Sequence, residues 1–184
     1  MNSILPFDEL NRFKVDLQEM FPDGKLVAEK KSDIIDELLD LFLLAFAQGA
    51  KATNDALSFG WEPSTEEVMK TVDKKIVGKT WRERAEEYFA NGGNVADIER
   101  IAETEVHRDT NAAAYESAKR AGATTKVWHC MMLPTSRDTH IYLNGVSAPI
   151  DGEFYSFKGG STQFPGEWGI AEEDVNCLCW LTFE

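Results

Sequence analysis

Apolar residues recur at helical spacing through the first two thirds of this chain, and alternate with polar ones only near its C-terminus. Leu10, Phe13, Leu17 and Met20 predict a helix over Asp8 to Met20, stopped by Pro22-Asp23-Gly24. Ser32 is placed to cap a second helix. On that helix Asp33, Asp36, Glu37 and Asp40 share one face, and Ile34, Ile35, Leu38, Leu41, Phe42 and Ala45 form a broad apolar one. Beyond Asp40 this helix is apolar all round, which predicts burial between neighbours or against a partner. Leu38, Leu41, Phe42 and Leu44 are the candidate partner-binding residues on it.

Two capping boxes, Ser64 with Glu67 and Thr80 with Glu83, open further helices, and Gly92-Gly93 closes the second of these. Asn94 caps a longer helix with Asp97 in its first turn, running to Gly122. Its stripe of Val95, Ile98, Ala102 and Val106 continues into small residues, Ala113, Ala114, Ala118 and Ala121, that allow another backbone to approach. After Gly122 the pattern changes. Val127–Leu133, Glu153–Phe157 and Val175–Phe183 read as strands, with Arg137–His140 as a turn or single helical turn. In the last strand Val175, Cys177, Cys179, Leu181 and Phe183 share a face. Helices first and a small antiparallel sheet last predict an α+β fold. The chain divides into a helical arm, residues 1–62, and a body, residues 63–184, with helices over 63–122 and the sheet over 123–184.

At 184 residues, with 43% apolar and 28% charged positions, the chain can bury a core without staples. Its net charge of −13 excludes a free-standing nucleic-acid binder, leaving phosphate contact only to a local patch. Residues 1–122 carry 16 Lys and Arg against 24 Asp and Glu, and the rest carry 3 against 8, so the acid is spread rather than held in a tail. Three cysteines are too few for a disulfide framework, and Met1–Pro6 lacks the pattern of a signal peptide. The longest apolar run, Leu41 to Ala47, is well short of the roughly 20 residues that span a bilayer, so no membrane contact and a cytosolic location are expected.

The chemistry concentrates in the C-terminal third. Cys177 and Cys179 project to one face of a strand and are too close to bond each other without strain. They could give two ligands to Zn²⁺, with His140 and either Cys130 or His129 completing a tetrahedron. The alternative is that both are apolar core residues, where free cysteine usually sits. Arg137 and His140, three apart, either hold an anion or lock a loop to the sheet; a lone His without a nucleophile or a carboxylate pair is a poor catalyst. Glu105, Arg108 and Asn111 form a polar stripe on the long helix, and Glu103, His107 and Asn111 form a second; covered by the sheet, the first becomes a buried network joining the two.

The ordered set Thr104-Glu105-x-x-Arg108-x-x-Asn111, Trp128, Arg137-x-x-His140, Asn144-Gly145, Pro165-Gly166 and Asn176-Cys177-x-Cys179 resembles the Mu F-like minor head proteins of tailed phages, the SPP1 gp7-type head morphogenesis family. The resemblance runs from about Thr80 to Phe183 and makes residues 63–184 the family's domain. Two positions depart from the family pattern: Thr135 and Ser136 stand where an Asp is common, and Leu178 where Arg is common. Both changes remove charge. The resemblance implies a non-enzymatic phage or prophage protein acting in virion assembly. Its expected partners are the portal protein and other head proteins, its expected locations the host cytoplasm during assembly and then the virion head. It implies no cofactor. A metal-dependent hydrolase or nuclease using His140, Cys177 and Cys179 is the first alternative, and a small acidic inhibitor, suggested by the charge alone, is the second.

Overall fold

A computed structural model describes residues 7–184, and shows the α+β order expected: helices first, a small antiparallel sheet last. The reading of Met1–Pro6, and the first six residues of the 1–62 arm, lie outside the described residues. Five helices come before the sheet: α1 (Phe7–Glu19), α2 (Lys31–Leu57), α3 (Thr65–Val72), α4 (Trp81–Ala90) and α5 (Val95–Arg120). Strand β1 (Thr125–His129) follows, then α6 (Asp138–Leu143), β2 (Ser147–Pro149), β3 (Phe154–Tyr155), β4 (Ser161–Thr162), α7 (Ala171–Asp174) and β5 (Trp180–Phe183).

Local chemistry sets the helix starts. Ser64, Thr80 and Asn94 each accept the backbone N–H three residues on, and Glu67, Glu83 and Asp97 reach back to the cap N–H, so all three capping boxes are closed. Helix α2 begins one residue before the expected cap Ser32. A 3₁₀ turn over Ala28–Lys30 runs straight into it, so winding has started before Ser32 is reached. Gly122 ends the chain's run out of α5 at φ +85°, a conformation that favours glycine.

Two cores share α5. The helical core takes Leu10, Phe13 and Leu17 from α1, Ile34, Leu38, Leu41 and Phe42 from α2, Val72, Trp81 and Ala85, and then Ile98 to Val106 of α5. Trp81 meets the edge of Phe42 with ring centroids 5.1 Å apart. Residues from both sides of position 62 interlock here, so the packing has no break at the expected arm boundary. The partner-binding expectation is corrected at the same place. Leu38, Leu41 and Phe42 are buried within the chain, because α5 supplies the apolar cover that α2 needed, and of that group only Leu44 reaches solvent, at 36% exposure. Helices α2 and α5 touch backbone to backbone: a Cβ on Gly49 would stand 2.3 Å from the Thr110 carbonyl oxygen. Ala113, from the expected stripe of small residues on α5, is buried against Phe46 and Ala50 of α2, and Gly49 supplies a further small residue from the α2 side.

The sheet core lies beyond Thr110. The three-stranded sheet has order β2-β1-β5, all antiparallel, with Trp128 opposite Leu181 and Lys126 opposite Ala148; β3 and β4 pair separately. Trp128, Phe154, Phe164, Trp168, Leu143 and the three cysteines pack onto Ala112 and Tyr115 of α5. The strands are shorter than the alternation predicted. Met131–Leu133 leave β1 and are exposed, Glu153 and Ser156–Phe157 lie outside β3, and residues 175–179 precede β5. A left-handed residue, Asn176 at φ +56°, interrupts that last stretch, and the alternation of buried Cys177 and Cys179 with exposed Leu178 survives without a ladder.

Candidate functional site

Where α5, α6 and the approach to β5 meet, His140, Cys177 and Cys179 converge. All three are buried at 2–3% exposure. The His140 Nδ1 lies 3.6 Å from Cys177 Sγ and 3.4 Å from Cys179 Sγ, and the three donor atoms are within 4.8 Å of one another. Trp128 presents its edge to the His140 ring at 5.8 Å, and Trp168 stacks on it at 6.2 Å. All three cysteines are free thiols. The Cys177 thiol is held well below its ordinary pKa by its hydrogen bond with Cys179 and by His140, against burial; Cys179 moves the opposite way, for the same shared hydrogen bond and for burial.

The other side of His140 is fixed by a carboxylate. Its Nε2 stands 3.0 Å from Glu173 Oε2. Glu173 is buried and accepts from Thr139 Oγ1 at 2.8 Å and Ser156 Oγ at 3.2 Å. The neighbouring Asp174 accepts the backbone N–H groups of Trp168, Gly169 and Ile170, which closes the loop over the cluster, although burial still pushes its carboxyl up to about 6. Glu173 and Asp174 carried no signal in the sequence, since Glu172-Glu173-Asp174 reads as a solvated acidic run. A short helix, α7, turns two of the three inward.

A polar seam then ties the cluster to α5. The buried His107 donates from Nε2 to the Cys179 carbonyl at 2.6 Å, and Asn111 Nδ2 donates to the same oxygen at 3.1 Å. Burial lowers the His107 pKa and so keeps its ring neutral. The expected stripe of Glu105, Arg108 and Asn111 is buried but divided. Asn111 faces the sheet, whereas Arg108 pairs with Glu105 at 2.9 Å and with Asp109 at 2.6 Å, and donates to the Thr71 and Val72 carbonyls. Arg84 closes onto Glu105 from α4. Arg137 and His140 find their partners elsewhere, at the Val175 carbonyl and at Cys177, Cys179 and Glu173, so only the Asn111 end of the stripe joins helix to sheet. A helix has two sides here, and Glu105 and Arg108 lie on the one covered by α3 and α4. The Pro165-Gly166 turn packs on the same residue: a Cβ on Gly166 would come within 3.1 Å of Arg108 Cα.

The remaining sequence candidates are placed individually. Arg137 donates to the Val175 carbonyl, pinning the segment before Cys177. Asn144 Oδ1 accepts the Cys130 N–H at 2.9 Å, and the N–H of Gly145, at φ +81°, donates to the Trp128 carbonyl. The Asn176 N–H meets Thr104 Oγ1 at 3.4 Å. Cys130 lines a cavity of about 30 Å³ together with His140, Cys179, Arg137 and Leu178, but its thiol is outside the converging three. His129 is excluded as a fourth ligand. Strand alternation sends it to the opposite face from Trp128, where it stacks on Trp180 at 5.3 Å and meets Thr182 at 2.8 Å.

Parts of this chain are similar to curated proteins of two kinds. It is 31% identical over 93 residues, 49% of its length, to minor head protein GP7 of Bacillus phage SPP1, and the match covers 30% of that protein. It is 39% identical over 84 residues, 44% of its length, to the NAD(+)–arginine ADP-ribosyltransferase EFV of Enterococcus faecalis, covering 17% of that protein. The chain thus spans less than a third of either curated relative. No family model matches it, and no solved structure matches it significantly. Among the described residues, no helix is long and apolar enough to cross a membrane.

Proposed function

We propose that this chain is a minor head protein of a tailed phage or prophage, acting in capsid assembly by binding the portal protein or other proteins of the procapsid interior. It would be made in the bacterial cytoplasm and carried into the virion head. The observation that supports this most is the similarity to minor head protein GP7 across half of the chain. The ordered motif residues fit a structural role. Asn111, Trp128, Arg137, Asn144 and Asn176 all spend their polar groups or rings on holding α5, α6 and the sheet together. In this reading the chain is not an enzyme. The cavity beside His140 and Cys179 is small, about 30 Å³, which gives a hydrolase or nuclease reading little support. The matched region is too small a part of the ADP-ribosyltransferase for that activity to be carried over. Some surface acids are interleaved with cations, as in the pairs Lys51–Asp55, Lys119–Asp151 and Arg120–Glu67, which gives the acidic-inhibitor reading little support.

Mass spectrometry of intact virions and procapsids tests the reading, together with co-expression and pull-down against the cognate portal protein. The chain should be present at a fixed copy number and should co-purify with the portal or another head protein. Absence from both particles, with no association in co-expression, would overturn it.

A further inference from the structure

We propose that His140, Cys177 and Cys179 hold a zinc ion, with the fourth coordination position turned toward the cavity lined by Cys130 and Arg137. This is independent of the head-protein reading. Zn–S bonds of about 2.3 Å and Zn–N bonds of about 2.0–2.1 Å at tetrahedral angles put sulfur and nitrogen about 3.6 Å apart. The two separations here are 3.6 and 3.4 Å.

The proton count points the same way. The Glu173 carboxylate, 3.0 Å from Nε2, favours the imidazole proton on that side, which leaves the Nδ1 lone pair on the side of the two sulfurs. One lone pair accepts one S–H, and the second buried thiol is left with the other sulfur, a weak acceptor, as its partner. A cation bound by two thiolates and one imidazole satisfies all three groups at once, and releases the thiol protons to solvent on binding. Glu173 is itself held by Thr139 and Ser156, the outer arrangement that fixes the tautomer of a metal-ligating histidine. Two sulfurs and a nitrogen suit zinc. Calcium and magnesium take oxygen ligands, and iron–sulfur clusters need more cysteine ligands than converge here.

The sheet core also has a use for a staple. Its strands are two to five residues long, so backbone pairing alone fixes little of it. The ion would join α6 to the segment entering β5, and the cavity of about 30 Å³ beside it holds about one water, enough for a fourth ligand. Cys130 lies on the cavity wall and is not required.

The full chain, purified from cells grown with zinc, is assayed by elemental mass spectrometry and by cobalt substitution. About one zinc per chain is expected, falling below about a tenth in H140A, C177S and C179S and unchanged in C130S. Cobalt should give tetrahedral d–d bands and a thiolate-to-cobalt charge-transfer band. Glu173→Gln, a change to a positioning residue, should keep the band while weakening affinity about 10–100-fold against a competing chelator. Folded wild-type chain with neither zinc nor a cobalt band would overturn the proposal, and loss of zinc in C130S would overturn the three-residue assignment. Should the ligand variants fail to fold, the wild-type cobalt titration alone decides.

Discussion

Along its first turns α5 sends Ile98, Ile101, Ala102 and Val106 into a core of leucines, phenylalanines and Trp81; further on, the same helix offers His107, Asn111 and Tyr115 to a core made from two- to five-residue strands. The helical core is specified by volume. Its members are apolar and drawn from five helices, and any vacancy is felt by all of them. The sheet core is specified by direction. His140, Glu173, Thr139, Asn111 and His107 each need a partner at one angle, and the aromatic rings of Trp128 and Trp168 close around them. One helix can serve both because its periodicity constrains which side a residue faces and leaves the chemistry of that residue free.

The contrast can be broken most severely at Trp81. Trp81→Ala removes the ring packed on Phe42 and the Nε1 hydrogen bond to Asp73, and should cost about 3–5 kcal/mol in urea unfolding. Because α5 threads both cores, far-UV and near-UV signals should be lost together; separate transitions would show that the sheet core stands alone. His140→Ala acts on the other side. It leaves Glu173 buried with one partner fewer and should cost about 1–3 kcal/mol in metal-free protein. The near-UV signal of Trp128 and Trp168 should weaken while helicity holds. Unaltered near-UV spectra and an unaltered urea midpoint would refute the directional account.

A pH titration sharpens the comparison at the junction of the two cores. Burial pushes the Asp109 carboxyl up to about 7, against the pull of Arg108, from an ordinary value near 3.8. The folded state then holds more protons than the unfolded one between about pH 4 and 7, so this group's contribution to stability falls as pH rises through that window and levels off above it. Asp109→Asn should flatten that part of the profile of urea midpoint against pH; an identical slope in wild type and variant would exclude Asp109 as its source. The smallest effect belongs to Leu44→Asp, within about 0.5 kcal/mol at an exposed position, whereas Leu41→Asp on the same helix should unfold the chain. A large loss at Leu44 would show that the helical core extends further round α2 than its burial indicates.

The same contrast governs what could be read from sequence. Capping boxes were legible because each is closed within three residues, and the apolar periodicity of α1, α2 and α5 because it is local. Leu38, Leu41 and Phe42 were misassigned for lack of a count of what α5 could cover, a non-local quantity. Cys177, Cys179 and His140 were singled out as residue types, yet their meeting spans 37 to 39 positions and depends on Asn176 taking a left-handed turn that spacing does not encode. Glu173 was illegible for a plainer reason: two of three adjacent acids turn inward, and nothing in an acidic run says which.

The seam on α5 also bears on the order in which the molecule comes together. The helical core is built from residues 10 to 106, but the partner of His107 and Asn111 is the Cys179 carbonyl, 68 to 72 positions further along. Pulse-labelled hydrogen exchange should therefore find α2 protected before β5, and simultaneous protection would argue against such an order. Until β5 docks, the waiting face of α5 offers water an imidazole, an amide and the phenol of Tyr115 beside the small side chains of Ala112 and Ala118. A half-folded chain with that surface is solvated where an apolar face would be adhesive, so the polar seam gives the slow step of folding a shelter from aggregation.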